Sequence, residues 1–315
     1  SLVEKLDINL HDIKFIFVEK LTSIMNRPIQ RVAAIHDLSG FGKASLTVVI
    51  PILSTMGIQV CPLPTAVLST HTRFQGFHLI DLTPHLQTII DHWKELHLHF
   101  DAIYSGFLGS HQQIKIVKNF IDDFNTDKTL VVIDPVMGDN GHLYHSIQPE
   151  MITGMRSLVS KANVITPNIT ELSFLLDKDY DPGISENKVK EYIRRMMDLG
   201  PETVIVTSVP QPDLPKRTSV IAYSRLDGRY WKVSCDYLPA SYPGTGDAFA
   251  SIITGSLLQG DSLPIALDRA VQFLSYAVRA TFGYQYNSIE GLLLERVLQN
   301  LHAPVQISSY ELLDE

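Results

Sequence analysis

From Arg31 onward, apolar β-branched runs alternate with segments whose apolar residues return every three or four positions. The runs Arg31–His36, Ile58–Val67, Ala102–Ser105, Thr129–Ile133, Asn163–Thr166 and Thr203–Thr207 predict strands. Between them, helical spacing marks Ser45–Met56 (with a kink expected at Pro51), Leu86–Leu96, Gln113–Phe124, Ile169–Leu176 and Asn187–Leu199, the last stopped by Gly200 and Pro201. Thr218–Ser224 and Arg229–Cys235 flank Asp227-Gly228 and predict a hairpin with a tight turn. Helical patterns at Asp247–Leu258, Leu263–Thr281 and Leu292–Leu301 follow. Continuous apolar strands alternating with helices predict an α/β fold, a mainly parallel central sheet with helices on both faces. No Ser/Gly linker, repeat or low-complexity tract divides it, so residues 29–315 are expected to form a single domain. Residues 1–28 look different: a helix-compatible stretch at Phe15–Ile24 ends at Asn26-Arg27-Pro28, and the segment reads as an N-terminal arm or as derived from upstream sequence.

Composition narrows the class. With 45% hydrophobic and 19% charged residues the chain can bury a sizeable core, which excludes disorder as its main state. Lys plus Arg is 26 and Asp plus Glu is 34, a net charge of −8, so there is no basic footprint for nucleic acid. An anionic substrate would need a site built locally from backbone N–H groups, a metal or a few placed cations. Cys61 and Cys235 stand far apart without a CxxC, which excludes a disulfide framework and a Cys-based zinc site and suits a reducing, cytoplasmic setting. No apolar run approaches the roughly 18–20 residues that cross a bilayer. Charged positions from Glu4 to Lys20 interrupt any secretory apolar core.

Ligands of open α/β sheets bind at the carboxyl ends of the strands, so the residues that follow strands carry the information. After the first strand comes His36-Asp37-Leu38-Ser39-Gly40-Phe41-Gly42-Lys43-Ala44-Ser45. A Walker A loop fails here at Asp37 and Ala44, and a dinucleotide fingerprint fails at Ser45 and lacks its downstream acid. An acid and a flexible turn remain, suited either to gripping a small ligand or to connecting strand and helix. In Asp134-Pro135-Val136-Met137-Gly138-Asp139 two carboxylates five residues apart match what Mg²⁺ takes from a protein, though an Asp-Pro turn reads the same way. Asn168 and Glu171, in Thr166-Pro167-Asn168-Ile169-Thr170-Glu171, have capping-box spacing, and the same geometry can aim an amide and a carboxylate at a metal–phosphate group. Finally, Gly244, Thr245 and Gly246 leave first-turn N–H groups uncovered at a helix start, an anion hole, with Asp247 beside them as a candidate general base.

GTGDAFAS, DPVMGD and TPNITE together resemble the ribokinase-like superfamily. The stretches Leu63–Thr72 (LPTAVLSTHT) and Ser105–Ser110 (SGFLGS) are similar to its pyridoxal/pyridoxamine kinase branch, and the resemblance spans Arg31 to Leu294. It implies ATP-dependent phosphorylation of the 5′-hydroxymethyl group of vitamin B6 vitamers. Asp247 would be the base, and Asp134, Asn168 and Glu171 would organise Mg²⁺ and the ATP phosphates, partly through water. Thr166 and Thr207 would contact nucleotide, while Asp37, Thr65 and Phe107 would meet the vitamer. The resemblance also implies a homodimer and admits activation by a monovalent cation. Asp37 stands where several such kinases have serine and Phe107 where many have tyrosine, which bears on vitamer preference rather than on phosphotransfer. The alternatives are a hydroxymethylpyrimidine kinase of thiamine synthesis and a vitamer-binding sensor that has lost catalysis. His92, His97 and His99 lack a clear metal-ligand set, Lys43 reads as a surface lysine, and Trp93 and Trp231 as packing residues.

Overall fold

The computed structural model describes residues 28–211, 214, 216–236, 240–284, 286–302 and 309–314. The arm assigned to residues 1–28 thus lies outside the described residues but for Pro28.

Residues 31–315 cluster as one compact unit. Its strands are β1 (Arg31–Ser39), β2 (Gln59–Leu68), β3 (Leu79–Asp81), β4 (Ala102–Ser105), β5 (Leu130–Ile133), β6 (Gly138–Asp139), β7 (His142–Leu143), β8 (Val164–Ile165), β9 (Thr203–Pro210), β10 (Arg217–Ser224), β11 (Arg229–Asp236) and β12 (Tyr310–Leu313). Apart from the small β6–β7 ribbon they form a ten-stranded sheet among the described residues, in the order β12-β11-β10-β9-β8-β5-β4-β1-β2-β3. From β2 through β1, β4, β5 and β8 to β9 every pairing is parallel, and antiparallel strands extend both edges.

Alternate strand residues feed two cores, as period-two geometry requires. Ala33, Ile35, Ile103 and Val131 face one core, where they meet α2 (Thr83–Glu95), α3 (His111–Phe124), α4 (Met151–Val159), α5 (Ile169–Leu175) and α6 (Glu186–Met197). Val32, Ala34, Tyr104 and Val132 face the other, under α1 (Leu46–Thr55), α7 (Thr245–Leu258), α8 (Leu263–Gly283) and α9 (Leu294–Val297). No helix of the described residues is long and apolar enough to cross a membrane.

Several elements depart from expectation. Strand β9 continues past Thr207 to Pro210 because Val209 and Pro210 pair with Ser219 and Thr218. The β10–β11 turn has four residues rather than two: Ser224 pairs with Arg229, and Gly228 takes φ +67° to close the loop. The pattern at Leu292–Leu301 is α9 followed by a 3₁₀ turn, Leu298–His302; Leu294, Val297 and Leu301 point into the core at a spacing that either helix type serves.

The chain passes from β1 to β2 on one side and returns to place β4 on the other. That reversal opens a crevice beyond the carboxyl ends of β1 and β4. Gly106, just past β4, permits the approach there: a Cβ on it would lie 2.4 Å from His36 Nδ1.

Candidate active site

Three adjoining cavities open at this end of the sheet. The central one, about 260 Å³, is walled by Asp37, Phe107, Asp134, Gly244, Thr245, Gly246 and Asp247, with Arg73, Asp139 and Tyr144 at other points. A second, about 250 Å³, runs between β9–β11 and α7–α8 and includes Thr207. It shares Thr245 and Gly246 with the first, so the start of α7 lies on the seam between them. A third, about 170 Å³, shares Asp37 and Phe107 with the first and adds Thr65. Thr166, Asn168 and Glu171 line none of these three cavities, and the Thr166 hydroxyl donates to Asp134, which lines the central one.

The seam follows from local backbone chemistry. Gly244 precedes α7 at φ +81°, and a Cβ there would come 2.6 Å from the Lys43 carbonyl oxygen. No side chain caps the helix. The Thr245 hydroxyl donates back to the Tyr242 carbonyl (3.1 Å), which leaves the first-turn N–H groups to an incoming anion at the positive end of the helix dipole. The helix itself is buried from Ala248 to Ser256 and cannot tilt freely.

Asp247 sits in that first turn with its side chain 13% exposed. Its Oδ2 accepts the Ser45 N–H at 2.8 Å, and its Oδ1 lies 4.0 Å from His36 Nδ1. Burial pushes the Asp247 carboxyl up to about 6 and drives His36 down to about 3, so the histidine is neutral and their contact is not an ion pair. Asp134 accepts the Thr166 hydroxyl at 2.9 Å and is pushed up to about 7, by burial first and then by the charge of Asp247. Burial likewise raises Asp37, whose Oδ1 accepts the Ser45 hydroxyl at 2.5 Å.

Asn168 and Glu171 form a complete capping box at the start of α5: the Glu171 N–H donates to Asn168 Oδ1 and the Asn168 N–H to Glu171 Oε2, both at 2.9 Å. The second Glu171 oxygen accepts the Met137 N–H (3.1 Å), and Asn168 Nδ2 donates to the Gly138 carbonyl (2.9 Å). Both side chains therefore also strap the Asp134–Asp139 loop to α5. Burial and the nearby Asp134 charge hold Glu171 well above the usual carboxylate range.

Among the described residues no lysine or arginine pairs with Asp37, Asp134, Glu171 or Asp247. Lys43 turns instead to Glu295 (3.3 Å) and the Tyr286 ring, and with its side chain 17% exposed it is more covered than a surface lysine. Trp93 packs on Phe100 and Phe120, Trp231 on Tyr310, and His92 faces Glu95 at the surface. Sequence reasoning assigned no role to Ser45, Arg73 or Tyr144. Nothing in their spacing distinguishes them from loop residues; only the fold brings them to the cavity.

An uncapped helix start at the junction of two cavities, with an acid in the same helical turn, is the arrangement expected of a small-molecule kinase, and the chain is a member of the ribokinase-like superfamily. Within it the chain belongs to the phosphomethylpyrimidine kinase family, whose model matches residues 52–290. It is 59% identical to a Bacteroides thetaiotaomicron protein named as a phosphomethylpyrimidine kinase and crystallised with pyridoxal. That match has a TM-score of 0.88 and covers 90% of this chain and 100% of the other. Pyridoxal kinase from Lactobacillus plantarum is 29% identical, with a TM-score of 0.80 over 87% of this chain and 97% of that one. A pyridoxine/pyridoxal/pyridoxamine kinase from Bordetella avium is 28% identical over 264 residues, 79% of this chain and 85% of its own.

Proposed function

We propose that the protein transfers the γ-phosphoryl group of ATP to the 5′-hydroxymethyl group of pyridoxal, pyridoxamine or pyridoxine. The observation that carries this reading is the seam: two cavities meet at Thr245 and Gly246, where Asp247 and the uncovered N–H groups of α7 lie, and we assign the one that includes Thr207 to the nucleotide and the other to a small ring. The 59% identity to a protein crystallised with pyridoxal supports the choice of ring.

In this mechanism Asp247 takes the proton of the 5′-hydroxyl. The oxygen attacks the γ-phosphorus in line as the bond to the β–γ bridging oxygen breaks, and ADP leaves. A positioned base contributes roughly 10²–10⁴-fold. The Gly244–Gly246 amides meet the charge that spreads over the equatorial oxygens, the larger share of catalysis in phosphoryl transfer. Asp37, Thr65 and Phe107 hold the vitamer, and Thr207 the nucleotide.

The donor set fits Mg²⁺, because buried carboxylates without a cationic partner are what a hard divalent ion neutralises. Asp134 would hold it directly, with Glu171 and Asn168 behind through water, and the ion would supply charge neutralisation at the ATP phosphates. We assign residues 29–315 to the kinase domain. A homodimer, a monovalent activator and a cytoplasmic site belong to the same reading, and two unpaired cysteines accord with the last. Light scattering returning a monomer at working concentration would remove the dimer.

The test is ATP consumption with pyridoxal, pyridoxamine, pyridoxine and hydroxymethylpyrimidine. Preferred turnover of any vitamer supports the assignment. Turnover of the pyrimidine alone would make the enzyme a thiamine-pathway kinase, and turnover of none would make it a sensor.

A further inference from the structure

Ser45 stands immediately before α1, where a serine ordinarily turns its hydroxyl onto the helix's own N–H groups. It does not do so here. The helix start has no side-chain cap, and Ser45 adopts φ +53°, ψ −129°, a backbone conformation that non-glycine residues rarely enter. The hydroxyl is spent on Asp37 Oδ1 at 2.5 Å, and the N–H of the same residue on Asp247 Oδ2 at 2.8 Å. Ser45 is 5% exposed, and a bridge to Leu38 ties it back to the end of β1. A glycine would take this backbone without strain but would bring no hydroxyl. Strain kept at such a point indicates what the side chain is for.

We infer that Ser45 is a positioning residue that sets the vitamer-side carboxylate Asp37 and the base Asp247 from one backbone position, a role that rests on the kinase reading above. The hydroxyl proton fixes Oδ1 of Asp37, a residue that borders both the central and the third cavity. The amide fixes Asp247 Oδ2 and leaves Oδ1 to receive the substrate proton. Vitamer grip therefore depends on the hydroxyl, and base orientation on the amide.

Ser45→Gly separates the two, since it keeps the N–H, drops the hydroxyl and suits the observed φ. The vitamer KM is expected to rise about tenfold, the scale of one hydrogen bond to a charged group. kcat should fall no more than about threefold and the ATP KM should hold. The melting temperature should change little because relief of the backbone strain at φ +53° offsets the buried hydrogen bond lost at Asp37, which separates positioning from a structural role. In an Asp37→Ala background the same substitution should change the vitamer KM by less than about twofold, because the hydroxyl then has no partner. A vitamer KM within twofold of wild type in Ser45→Gly, or effects that multiply in the double variant, would overturn the assignment of Ser45 alone. A wild type that turns over no vitamer would instead refute the kinase reading, and this inference with it.

Discussion

Replacing Asp247 by asparagine removes the base and little else. The amide has the carboxylate's shape, its oxygen can still accept the Ser45 N–H, and the α7 amides stay in place. The lower end of what a positioned base supplies is about a hundredfold, or about 2.7 kcal/mol of barrier, so kcat should fall at least that far while the ATP KM changes little. The structure adds a second signature. Burial lifts the Asp247 carboxyl to about 6, so the base is ionised above that pH and protonated below it. Activity is therefore lost as pH falls through about 6. At pH 5 about one carboxylate in eleven remains ionised, and kcat/KM, which reports the free enzyme, should stand about tenfold below its plateau. Steady-state rates from pH 5 to 8 on wild type and Asp247→Asn provide the assay; the variant's residual rate should be flat across pH 6. A variant kcat within tenfold of wild type would remove Asp247 from the base role. A retained acid limb in the variant would transfer the titration to Asp134.

Three further substitutions probe the rest of the site. Glu171→Gln offers one oxygen where two N–H groups now donate, so a buried donor goes unpaired at a cost of about 1–3 kcal/mol and the melting temperature falls. The Mg²⁺ concentration for half-maximal rate should also rise; if it does not, Glu171 is a cap and a strap and nothing more. Asp37→Ser should shift the pyridoxamine-to-pyridoxal ratio of kcat/KM toward pyridoxal by about tenfold, since a carboxylate attracts the amine that pyridoxal lacks. An unchanged ratio confines Asp37 to holding its own loop. Gly244→Ala forces a Cβ into the left-handed region and to 2.6 Å from the Lys43 carbonyl. With roughly 2 kcal/mol of strain, and about 2–4 °C per kcal/mol, the melting temperature should drop by at least about 4 °C. Calorimetry that finds no drop would mean the loop relaxes freely.

The elements that sequence made legible are those whose pattern and environment agree. The LVVI and VIV stretches of Leu130–Ile133 and Val204–Val206 are unbroken apolar runs because their strands are covered on both faces, and the Phe249, Ile252 and Ile253 stripe of α7 lies buried as its spacing demands. Strand β3 was invisible because all three of its residues are exposed, which leaves no buried face to mark the period. Helix α4 was hidden by Gly154 in its middle, a poor helix former that lets the His111 ring approach closely. In the site, GTGD was readable because one helix turn holds all its parts. The capping box of Asn168 and Glu171 was read in its spacing, but not the strap each adds to the Asp134–Asp139 loop. His36 and Ser45 gave no signal, since what distinguishes them is a burial and a backbone angle that only the packed structure imposes.

The hydrogen bond from Ser45 to Asp247 joins residues 202 positions apart. Closing so long a loop is slow, and large α/β chains with parallel sheets pass through collapsed intermediates before distant segments dock. A refolding chain can thus form the β1–β2 pair and bury α1 while α7 is still undocked, with much of its secondary structure recovered and no working site. Regain of catalysis after dilution from denaturant should then trail the far-ultraviolet circular dichroism signal. The interval between the two would time the arrival of the C-terminal third of the chain on the strands made first.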